Sequence, residues 1–128
     1  MAIPDLIGIV VQNMADSLAF YRLLGLSLPP EADQEAHVEW HTPGGFRIAW
    51  DTQALMASIH GEWQPPVGHR MVLAFRCDTP AAVDDLYQKI VAAGYKGYKP
   101  PWDAFWGQRY AVVQDPDGNL IDLFAPLE

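Results

Sequence analysis

The sequence predicts an α+β fold, in which two paired βαβββ modules form a curved mixed sheet around a cleft, and three observations lead to it. Alternating apolar runs fall at matching places in both halves, each followed by one amphipathic helix. Tyr21 and Tyr87 recur 66 positions apart, as do Ala15 and Ala81, while Pro43/Pro116, Gly45/Gly118 and Ile48/Ile121 recur 73 apart. A period of about 65 residues exceeds a solenoid unit and implies a duplicated module. The 128 residues suit one domain, residues 1–128, divided into modules of about 1–63 and 68–128, with enough chain for a core without disulfide or metal staples.

The first module begins with a strand over Leu6 to Val11. A helix follows, with Asn13 and Asp16 spaced as a capping pair before Leu18, Tyr21 and Leu24, and Gly25 ends it. LSLPP, residues 26–30, reads as a short edge segment. Two strands over roughly 36–42 and 45–51 are joined by the TPGG turn, and 52–60 reads as a helical turn or two. GEWQPPVG, residues 61–68, is a Pro/Gly-rich connector. The second module starts with a strand over Met71 to Cys77. Thr79 is an N-cap with Pro80 at the first helical position, and Val83, Leu86, Tyr87 and Ile90 form an apolar stripe that Gly94 closes. Tyr95 to Lys99 is extended, and GQRYAVVQ-DPDG-NLIDLFA reads as a terminal hairpin.

Eight Lys and Arg against sixteen Asp and Glu leave a net charge of −8. That balance argues against nucleic acid or an anionic membrane as partner, because phosphate contacts are carried by cations, and it tolerates a cationic or neutral organic ligand. Cys77 is the only cysteine, so neither an internal disulfide nor a Cys-rich zinc site is available, and its alternating run makes it a core residue. No basic-then-apolar leader and no run of the ~18 apolar residues needed for a span is present, so the expectation is a cytoplasmic protein.

In the first hairpin Val38, Trp40, Ile48 and Trp50 share one face, and His37, Glu39, His41, Arg47, Ala49 and Asp51 share the other. The apolar face should pack under the helix, with Trp40 and Trp50 in the core. The polar face is either a pocket floor or a solvated surface. Segment 95–110 holds six of the fifteen aromatic residues, Tyr95, Tyr98, Trp102, Phe105, Trp106 and Tyr110, interrupted by Pro100, Pro101 and Gly107. Aromatics gathered in a loop suit a lid over a flat ligand, a subunit interface, or both. His37 and His41 lie roughly 13 Å apart along a strand, too far to chelate one ion together. His60 and His69 flank the connector and read as surface residues, and the helical pair Asp84 and Asp85 as solvated.

The paired halves, SLAFYRLLG and the DPDGN-IDLF hairpin resemble the vicinal oxygen chelate superfamily of glyoxalases, extradiol dioxygenases and bleomycin-resistance proteins, along the whole chain. EADQEAHVE, FRIAWDT and KPPWDAFWGQRYAVVQDPDGNLIDLFAP are similar to its mitomycin-resistance branch, which implies a dimeric, drug-sequestering protein. The superfamily's enzymes place one metal ligand on the first and last strand of each module. The resemblance implies that these positions are Leu6, Ala49, Val72 and Asp122, of which only Asp122 can ligate, whereas a divalent ion needs about three or four protein ligands. The expectation is therefore a binding protein with no metal and no cofactor. The resemblance further implies that a planar ring lies against His37 and Trp106. Trp102 would join them, and Glu39, Arg47, Arg109 and Asp122 would supply polar contacts to a small planar ligand in a homodimer. The competing readings are a glyoxalase- or dioxygenase-like enzyme with a displaced metal site, or with acid–base chemistry by Glu39, His37 and Asp122, and an accessory subunit whose aromatic loop docks a protein.

Overall fold

The computed structural model describes residues 1–128 and is a mixed α+β structure that divides into two compact units, Met1–Pro65 and Pro66–Glu128. No helix is long and apolar enough to cross a membrane.

The first unit contains β1 (Leu6–Val11), α1 (Met14–Leu23), β2 (His37–His41), β3 (Arg47–Thr52) and α2 (Gln53–His60). Its sheet runs in the order β1-β3-β2, with β1 parallel and β2 antiparallel to β3. The Asn13 side chain accepts from the backbone N–H of Asp16 at 2.9 Å and so caps α1. The apolar faces of α1 and the sheet bury Val11, Leu18, Phe20, Tyr21, Val38, Ile48 and Trp50. Trp50 is fully buried edge-on to Tyr21, with ring centroids 5.2 Å apart, whereas Trp40 on the edge strand β2 is only half-buried. The core expectation therefore holds for Trp50 and only in part for Trp40, because an edge strand has a neighbour on one side alone.

Residues 26–30 are not a strand. A 3-10 helix occupies Pro30–Gln34, and the Arg22 guanidinium donates to the carbonyls of Leu28 and Pro29, both at 2.9 Å, and pairs with Asp33. Pro29 and Pro30 bring no N–H to a ladder, and Arg22 has taken the acceptors an edge strand would offer. The first unit thus has three strands where the repeat leads one to expect four.

The second unit contains β4 (Leu73–Arg76), α3 (Pro80–Ala92), β5 (Gly97–Ala104), β6 (Gln108–Gln114) and β7 (Leu120–Pro126), in the sheet order β4-β7-β6-β5. Thr79 caps α3 by accepting from the Ala82 N–H at 3.1 Å, with Pro80 in the first turn. Val83, Tyr87 and Ile90 of α3 and Ala111, Val113, Ile121, Leu123 and Ala125 of the sheet are all buried. Tyr87 depends on Gly97, since a Cβ there would sit 2.1 Å from its hydroxyl oxygen. The 115–118 turn is organised by Asp115, whose carboxylate accepts from the backbone of Asp117 and Asn119 and from the Asn119 side chain.

The strand registers of the two sheets follow the offsets seen in the sequence. Ile7 faces Ile48 across the parallel pair β1–β3, and Leu73 faces Ile121 across β4–β7, displaced by the same 66 and 73 positions. Gly8↔Ala49 and Ala74↔Asp122 correspond in the same way.

Candidate functional site

Each sheet has a helix-covered face and an open one. In the first unit the period of two places His37, Glu39, Arg47, Ala49 and Asp51 on the open face. Four of these form a ladder. His37 donates from Nδ1 to Asp51 at 2.5 Å and from Nε2 to Glu39 at 2.7 Å, Glu39 accepts from Arg47 Nη1 at 3.0 Å, and Arg47 closes on Asp5. The hydrogen bonds to Asp51 and then Glu39 raise the His37 pKa above its ordinary value; His37 and then Arg47 lower that of Glu39. Of the expected contact residues, His37, Glu39 and Arg47 are thus brought together, and Asp51 is a partner the sequence reading left out of the site.

A pH dependence follows from the His37 shift. A histidine with a raised folded pKa contributes stability that is fully present below its unfolded pKa of about 6.5 and is lost as pH rises through the folded value. We expect the His37 imidazole to titrate above the ordinary range by NMR and to fall back toward it in Asp51→Asn. An ordinary midpoint in the wild type would show that the ladder does not form in solution.

The open face of the second sheet is aromatic. Trp102 and Tyr110 are cross-strand partners on β5 and β6, with centroids 5.5 Å apart, and Trp106 meets Trp102 at 6.1 Å and Tyr110 at 5.2 Å, all edge-to-face. Tyr110 stacks on its β7 partner Phe124 at 6.2 Å. The Tyr110 hydroxyl donates to Asp122, and burial followed by this bond pushes its pKa up to about 12. The Lys99 ammonium lies 4.0 Å from the centroid of the Trp102 ring. Trp106 is 49% exposed and its indole N–H donates to Gln108 at 2.7 Å. Trp102, Trp106 and, through Tyr110, Asp122 therefore share one surface.

Two expectations change here. Most of segment 95–110 is not a loop: β5 runs through Pro100 and Pro101 to Ala104, and only residues 105–107 turn the chain before β6. The prolines are tolerated because β5 is an edge strand, and they coincide with its register shifts between Gly97 and Trp102. Arg109 points to the other face, where its guanidinium grips Asp84 of α3 through two hydrogen bonds of 2.9 and 3.1 Å and also meets Asp103. Its partners tie a helix to a sheet rather than to the aromatic surface. Tyr110 and Phe124 were legible in principle, since counting back from the DPDG turn places them on the same face as Asp122.

The positions implied for a metal do not fit one. Leu6, Ala49 and Val72 carry no donor atom, and the Asp122 carboxylate is already bonded to Tyr110. No group of three or more His, Cys, Asp or Glu side chains is arranged to hold an ion.

Comparison with known proteins adds the family. The family model described as Glyoxalase/Bleomycin resistance protein/Dioxygenase superfamily matches residues 3–123. No curated protein matches the chain. Among solved structures, the chain is similar to a glyoxalase/bleomycin resistance protein/dioxygenase family enzyme from Burkholderia phytofirmans PsJN, at 24% identity and TM-score 0.79 over 98% of this chain and 100% of that one. A glyoxalase-related enzyme from Fulvimarina pelagi aligns at 20% identity and TM-score 0.81, over 98% and 88% of the two chains. A protein of unknown function from Agrobacterium tumefaciens str. C58 aligns at 29% identity and TM-score 0.70, over 99% and 95%.

Proposed function

The chain belongs to the glyoxalase/bleomycin resistance/dioxygenase superfamily, and within it we propose that this protein is a metal-free cytoplasmic binder that sequesters a flat aromatic or quinone-like small molecule. The observation that carries the reading is the half-exposed edge-to-face cluster on the open face of the second sheet, with Trp102 and Tyr110 set on strands and Trp106 on the turn between them. Rings fixed by strand pairing offer a stacking surface at little entropic cost. Sequestration needs no chemistry from the protein, in keeping with the drug-binding branch that the WGQRY-to-DPDGN segment resembles. The His37–Glu39–Arg47 ladder enters as a polar surface whose charges already satisfy one another.

Direct titration of intrinsic Trp fluorescence with a panel of quinones and polycyclic antibiotics tests the reading; quenching at micromolar ligand is expected, and silence across the panel removes it. Purified protein prepared without chelators should carry no stoichiometric Zn, Ni, Fe or Mn. About one tightly held ion per chain would restore the enzymatic alternative, in keeping with the similar Burkholderia and Fulvimarina proteins, both described as enzymes. In that alternative His37, with its raised pKa, would serve as an acid rather than a base.

The protein is further proposed to be a homodimer. Phe105 at the β5–β6 turn is 96% exposed, an arrangement a lone chain leaves in water. Light scattering should give twice the 14.3 kDa chain mass, and a 14.3 kDa particle at micromolar concentration excludes it.

A further inference from the structure

We propose that Asp122, the one ligand-competent side chain among the four positions where the superfamily's enzymes hold a metal, serves here as the hydrogen-bond acceptor for an N–H group borne on a flat ligand. This rests on the aromatic-face reading and names the ligand class that the face selects, amino-substituted planar rings.

The neighbours of Asp122 leave it one acceptor short of a partner. The Tyr110 hydroxyl donates to one carboxylate oxygen. Across the strands Asp122 faces Val112 on β6 and Ala74 on β4, neither of which has a side-chain donor. Lys99 lies in the same cross-strand row through Val112, yet its ammonium sits over the Trp102 ring. Arg76, opposite Phe124, makes no ion pair, and none of the ion pairs in the chain includes Asp122. A carboxylate only accepts hydrogen bonds, so the second oxygen of this half-buried residue has no protein donor.

The rings bring a ligand within reach of that oxygen. Tyr110 touches Trp102, Trp106 and Phe124, so a ring stacked against any of them lies beside the residue that holds Asp122. The Tyr110 bond fixes the orientation of the carboxylate before a ligand arrives. An N–H on the ring supplies the missing donor, while a ring carbonyl or carboxylate at the same place sets acceptor against acceptor. One carboxylate suffices for this and does not suffice for a metal.

The test uses 2-aminoanthraquinone and 2-methylanthraquinone, which match in shape and differ in the donor. Fluorescence titration of the wild type should show the amino compound binding about 10–100-fold more tightly, the range for a hydrogen bond to a charged group. In Asp122→Asn the Tyr110 hydroxyl holds the amide oxygen and turns the amide N–H₂ outward. The preference should then fall to within about twofold, through lost affinity for the amino compound. Equal affinity of the wild type for both compounds overturns the inference and leaves the aromatic-face reading standing. A preference that survives in Asp122→Asn also overturns it, since another acceptor is then responsible. If neither compound binds while other planar compounds of the panel do, the inference falls and the aromatic-face reading stands; silence across the whole panel removes both. The wild-type comparison decides even where a variant folds poorly.

Discussion

Replacing Trp50 with alanine should lower stability by about 3–5 kcal/mol, the range for deleting a large aromatic from a close-packed core. Trp50 is 0% exposed, lies on the central strand of its sheet, and meets Tyr21 edge-on. Loss of the indole removes both buried area and that ring contact, and the surrounding α1 residues relax only partly into the gap. A drop in Tm on the order of 10 °C or more is expected in a thermal melt. Trp50→Phe isolates a second feature. The indole Nε1 is buried with no hydrogen-bond partner, so its desolvation is uncompensated in the native state. Phenylalanine keeps an aromatic ring against Tyr21 and removes the orphan donor, and this variant should therefore melt much closer to wild type than alanine does. Equal losses in the two variants would contradict the idea that the N–H carries a penalty. Trp40→Ala, at a half-buried edge position, should cost less than Trp50→Ala.

Trp106→Ala should weaken binding of a planar quinone by roughly 30–150-fold while leaving the melting temperature close to wild type. The indole is held at the β5–β6 turn by its bond to Gln108 and by ring contacts to Phe105, Trp102 and Tyr110, yet nearly half of it faces solvent. Stacking contributes ~0.5–1.5 kcal/mol beyond area, and burial of the exposed half adds at about 25 cal/mol per Å², for a sum of ~2–3 kcal/mol. Each ~1.4 kcal/mol is tenfold in affinity. Binding that persists unchanged in Trp106→Ala would remove the aromatic surface from the proposal, whereas an equal loss in Trp40→Ala would point to a general destabilisation.

The sequence by itself determined what local rules and the duplication control. Alternation separated the apolar and polar faces of β2 and β3, Asn13 and Thr79 marked both principal helix starts, and the 66- and 73-residue offsets anticipated strand registers that the sheets then adopt. The absence of donor atoms at Leu6, Ala49 and Val72 was equally legible, because side-chain identity alone excludes ligation. What depended on neighbours was not. Pro100 and Pro101 break a central strand but not an edge one, and strand order is a property of the assembled sheet, so the aromatic segment read as a loop became a hairpin. Residues 26–30 lost their strand to Arg22, whose reach to Leu28 and Pro29 exists only once α1 has turned the chain back. Alternation puts Arg109 on the face opposite Tyr110, but its pairing with Asp84 of α3 is a long-range contact that spacing cannot reveal. The coupling of Tyr110 to Asp122 is likewise a cross-strand contact: the residue types were in plain view, and the packed sheet brought the hydroxyl to the carboxylate.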